Sequence, residues 1–64
     1  MITLNGEPAE GGGATVEQLL ARLDVPGRGV AVAVDAEVVP KSEWASHVVP
    51  EGAHVEVVTA VQGG

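Results

Sequence analysis

The chemistry open to this chain is limited first by what it lacks. Its 64 residues include no cysteine, which removes thiolate nucleophiles, disulfides and zinc–cysteine sites together. His47, Glu51 and His54 could be imagined as metal ligands. The turn residues Pro50 and Gly52 separate them, so they read as surface residues and no metal is expected. Gly11-Gly12-Gly13 lacks the Lys-Ser/Thr of a phosphate loop and reads as a flexible connection. What remains is the end, Val61-Gln62-Gly63-Gly64. Glycines weaken regular structure by roughly 0.5–1 kcal/mol each relative to alanine, so a loose tail is expected. One reading is a frayed end that accumulates glycine. The other is a terminal carboxylate that must enter a narrow channel, where residues without Cβ atoms fit and adopt positive φ. A lone Gly-Gly does not decide between them.

Composition narrows the partners. Three Lys and Arg against nine Asp and Glu give a net charge of −6 and an isoelectric point near 4.5. Binding to a phosphate backbone draws its affinity from cationic side chains that release counterions, so no nucleic-acid partner is expected. An anionic membrane surface is disfavoured for the same reason. No apolar run is long enough to span a bilayer, and residues 1–6 show neither a basic nor an apolar leader region, so a cytoplasmic location is expected. A hydrophobic content of 45% with 19% charged residues fits a folded domain. At this length one domain over residues 1–64 is expected, burying about 60% of its unfolded surface.

The elements that would position the tail can be read in order. Residues 1–4 form a short strand candidate, and Asn5-Gly6 is a strong hairpin signal. The return strand, 7–10, is confined to a sheet edge by Pro8. Thr15-Val16-Glu17-Gln18 fits a capping box that starts the main helix. Val16, Leu19, Leu20 and Leu23 fall at helical spacing and predict one apolar stripe, with Glu17, Gln18 and Arg22 facing away. Val25-Pro26-Gly27 ends the helix. Residues 30–34, apolar throughout, predict a buried strand. Asp35-Ala36-Glu37 turns into Val38-Val39, and Pro40 opens one helical turn reaching Trp44, the single aromatic, expected as a lid on the core. After a turn at 50–52, residues 54–61 predict the last strand. Val55, Val57, Thr59 and Val61 share one face, and His54, Glu56, Val58 and Ala60 the other. The pattern is α+β, one helix laid across a small sheet.

Nearly the whole chain resembles the ThiS family, the sulfur carriers of thiamine thiazole biosynthesis. The likeness is densest over residues 38–64. Val39, Pro40 and Trp44, His47 with Val48-Val49, the Glu51-Gly52 turn and the final Gly63-Gly64 stand where that family carries them. The capped helix is similar too, while Val58 stands where the family often has a larger apolar residue. The resemblance implies the β-grasp (ubiquitin-like) fold, a small mixed sheet with one main helix packed across it. In that fold the first and last strands lie side by side in mid-sheet. Small molybdopterin-synthase subunits and ubiquitin-like modifiers share the plan and the ending, so fold alone leaves those alternatives open.

The function so implied is that of a carrier, not an enzyme. A carboxylate is a poor electrophile, since oxide would have to leave. ATP, consumed by an activating partner, would convert Gly64 to a mixed anhydride with AMP. A persulfide on a sulfur-donor protein would then deliver sulfur, and the product is a thiocarboxylate. The implied partners are a ThiF-like adenylyltransferase of the ubiquitin-activating kind and a ThiG-like thiazole synthase, with no cofactor held by the chain. Gly64 is the expected reactive site, with Gly63 beside it. Val58, Ala60, Val61, Gln62 and Glu56 are the expected partner contacts, with Glu37 and Glu51 completing an acidic rim. The bland alternative for Val58 and Ala60 is that they are single exposed apolar residues.

Overall fold

The computed structural model describes residues 1–23 and 29–59. Two hairpins flank a central strand. Strand β1, Ile2–Leu4, returns through Asn5-Gly6 into β2, Glu7–Ala9. Both turn residues have positive φ, 51° and 85°, as the twist of a two-residue hairpin demands. Strand β3, Val30–Val34, returns through Asp35-Ala36 into β4, Glu37–Val39. The last strand, β5, His54–Thr59, lies between the hairpins, and the sheet order is β2-β1-β5-β3-β4. Strand β5 pairs parallel with β1 and antiparallel with β3. First and last strands are therefore neighbours in mid-sheet, the β-grasp arrangement. Pro8 lies in the edge strand, where its missing N–H costs no ladder bond.

One helix, α1, Val16–Leu23, covers one face of the sheet. Thr15 and Gln18 form the capping box: the Gln18 N–H donates to Thr15 Oγ1 at 3.1 Å, and the Thr15 N–H donates to Gln18 Oε1 at 2.9 Å. Val16 and Glu17 donate their N–H groups to the carbonyls of His47 and Trp44, both at 3.0 Å. The first turn thus has partners for donors that a helix cannot satisfy internally. Those carbonyls are set by a 3₁₀ turn, Lys41–Glu43, which follows Pro40. Trp44 is buried and its indole N–H donates to the Val39 carbonyl at 3.0 Å, so it seals the core from β4 to the helix start.

Ile2, Val16, Leu19, Leu20, Val32, Val34, Val49 and Val55 build the core, with Val57 packed at its border. Three expectations need correction. Leu23, in the helix's last turn, is 38% exposed. Strand β3 is buried on one face only: Val32 and Val34 point inward, while Ala31 is exposed on a side that no described element covers. The glycine loop is close-packed at Gly11 and Gly12, while a Cβ on Gly13 would meet nothing within 4 Å. A Cβ on Gly11 would stand 2.6 Å from Leu19 Cδ2, and one on Gly12 would collide with the Glu51 carboxylate. The predicted helix stop, Val25-Pro26-Gly27, lies outside the described residues.

Candidate functional site

The sequence directs attention to β5 and the tail beyond it. Ala60, Val61, Gln62, Gly63 and Gly64 lie outside the described residues. Their launching point, β5, is fully described, and its backbone is gripped on both edges.

On the β1 side the ladder outlasts the strand. The Asn5 N–H donates to the Val55 carbonyl at 2.8 Å. The Asn5 side chain then behaves as one more peptide group. Its Oδ1 accepts the Val57 N–H at 2.8 Å, and its Nδ2 donates to the Val57 carbonyl at 3.2 Å. On the β3 side Asp35 plays a simpler form of the same part. Its backbone N–H donates to the His54 carbonyl at 2.7 Å, and its Oδ1 accepts the His54 N–H at 2.9 Å. In each hairpin the first turn residue therefore supplies a side chain to the central strand. Asn is needed at position 5 because both a donor and an acceptor must be met; a carboxylate suffices at position 35.

Strand pairing sorts side chains by face. Val30 with Thr59, Val32 with Val57 and Val34 with Val55 stand on the helix side. Ala31 with Val58 and Ala33 with Glu56 stand on the outer side, joined by Val38 opposite Ala33 and by Thr3 beside His54. The outer face is apolar in its middle, with Val58 60% and Val38 71% exposed and Ala31 and Ala33 between them. At its turn end it becomes polar. Asp35, Ala36, His54 and Glu56 line a shallow cleft there, and Thr3 Oγ1 lies 2.7 Å from His54 Nδ1.

Val58 and Glu56 thus share the outer face of β5. The acidic rim does not close round them as expected. Glu51 pairs with the Met1 ammonium group against the glycine loop. Glu37 pairs in register with Val34 and so falls on the helix side. Asp35, which sequence reasoning treated only as a turn residue, takes the place beside Glu56. Among the described residues no group of three or more His, Cys, Asp or Glu is arranged to hold a metal ion. His54 instead meets Thr3 and Glu51 meets the chain's amino group. No described helix is long and apolar enough to cross a membrane.

Comparison with known proteins gives a consistent picture. Residues 2–64 match the model of the ThiS family. The chain is 36% identical over 52 residues to the sulfur carrier protein ThiS of Escherichia coli (strain K12), covering 81% of this chain and 79% of that one. It is 41% identical over 64 residues to a thiazole synthase of Paramagnetospirillum magneticum, covering 98% of this chain but 20% of that protein. The crystal structure of thiamine biosynthesis protein ThiS from Geobacter metallireducens superposes with a TM-score of 0.78 at 31% identity, covering 98% and 97% of the two chains.

Proposed function

The chain belongs to the ThiS family of sulfur carrier proteins, and we propose from that membership that it carries sulfur on the Gly64 carboxyl for thiazole formation in the cytoplasm. The observation that carries the reading is the extent of the family match, which runs through to residue 64 and takes in Gly63-Gly64. The chemistry is well suited to a chain without cysteine. The Gly64 carboxylate attacks the α-phosphorus of ATP in the active site of an adenylyltransferase, and pyrophosphate leaves. The terminal sulfur of a donor persulfide attacks the acyl carbon, and AMP leaves. A second thiol then closes a disulfide with the donor sulfur and frees the thiocarboxylate. That soft nucleophile passes sulfur to thiazole synthase. The match to a thiazole synthase over one stretch of its length supports that choice of acceptor.

The folded part serves as the handle. Ordering a glycine costs about 1–2 kcal/mol, so two ordered glycines return little affinity and the body must supply the rest. Val58 is the apolar centre of the docking face, and Ala60, Val61 and Gln62, which follow it in sequence, are proposed as further partner contacts. Glu56 and Asp35 favour encounter with a basic partner. The experiment is co-expression with the activating enzyme and a persulfide donor, followed by intact-mass measurement. The carrier gains the mass difference between sulfur and oxygen. Covalent conjugates to other proteins would mark a modifier instead, and an unchanged mass would refute the carrier reading.

A further inference from the structure

Asn5 is the only asparagine in the chain, and glycine follows it. An asparagine side chain is open to attack by the backbone nitrogen of the next residue. Glycine is the neighbour that obstructs this least, having no Cβ. A Cβ at Gly6 would meet nothing within 4 Å, so the turn is open to water. Two features hold the reaction back. The Asn5 backbone sits in the left-handed region at φ 51°, and both polar atoms of its side chain are bonded to Val57. For Cγ to reach the Gly6 nitrogen, the amide must leave Val57.

We propose that Asn5 is a latent deamidation site, gated by its grip on Val57, whose conversion weakens the β1-side edge of the strand that leads to Gly63-Gly64. The Gly6 nitrogen bonds to Asn5 Cγ, the Cγ–Nδ2 bond breaks, and ammonia departs carrying the Gly6 amide proton. Water then opens the resulting succinimide. Cleavage at Cγ leaves aspartate; cleavage at the main-chain carbonyl leaves isoaspartate. No oxidant or reductant is involved. Neither product restores both bonds to Val57. Aspartate has no donor for the Val57 carbonyl and sets a carboxylate against it. Isoaspartate adds a backbone carbon to a two-residue turn whose geometry fixes the register of β1 on β2.

The test incubates the full chain in mildly alkaline buffer, folded or in concentrated urea. Replacement of NH2 by OH is followed by mass, and isoaspartate by enzymatic methyl labelling. The expected result is conversion slower by about tenfold or more in the folded protein, because only opened molecules react. The converted protein, separated by its extra negative charge, should melt below the parent. Asn5→Gln should not convert on the same timescale, since its longer side chain must close a larger ring. Equal rates in buffer and urea would overturn the gate. An unchanged melting temperature after conversion would overturn the weakened edge, and unchanged conversion in N5Q would place the chemistry elsewhere.

Discussion

A single amide decides much at residue scale. Asn5→Asp keeps a good turn residue and an acceptor for the Val57 N–H, yet removes the donor to the Val57 carbonyl. It should cost about 1 kcal/mol or more in denaturant unfolding. The mirror change, Asp35→Asn, keeps the acceptor for His54 and should alter stability by less than about 0.5 kcal/mol. Equal costs at the two sites would show that the side-chain grip on β5 is not what Asn5 contributes. Ala36 holds φ 70°, a region that penalises a Cβ, so Ala36→Gly should stabilise by about 0.5–1 kcal/mol in the same assay. The turn at Asn5-Gly6 was legible because the dipeptide itself encodes positive φ. The grip was not, because its partner lies 52 positions away in the sequence.

The helix shows the same division at the scale of the element. Its capping box and the inward faces of Val16, Leu19 and Leu20 were legible, since both depend on spacing within one turn or two. Leu19→Ala should lower stability by about 2–5 kcal/mol. Leu23→Ala should cost about 1 kcal/mol or less, because Leu23 already contacts solvent. Unfolding followed through the fluorescence of buried Trp44 distinguishes them, and comparable losses would mean that the helix packs on a different stripe. Periodicity alone puts Leu23 inward because it reports a direction around the helix, not how far each residue is covered. It likewise could not reveal that β3, apolar on both sides, leaves one side open. The carbonyls of Trp44 and His47 on the helix start were invisible for another reason: backbone donors and acceptors carry no sequence signature.

Across the whole molecule, the sheet order places β5 between two hairpins, with the helix on one face and an apolar outer surface around Val58 on the other. The resemblance in residues 38–64 made that order legible, whereas local pattern gave only one helix across a sheet. The expected acidic rim does not form because strand register carries Glu37 to the helix side and Glu51 pairs with Met1. If the outer face is the handle, Val58→Lys should weaken binding to the adenylyltransferase by about tenfold while leaving the melting temperature nearly unchanged. The most direct test of the carrier account blocks the reactive group alone. A full chain made with Gly64 as a primary amide, given ATP, the activating enzyme, the persulfide donor and thiazole synthase, should fold normally and yield no thiazole. Thiazole formation at the rate of the free acid would contradict it.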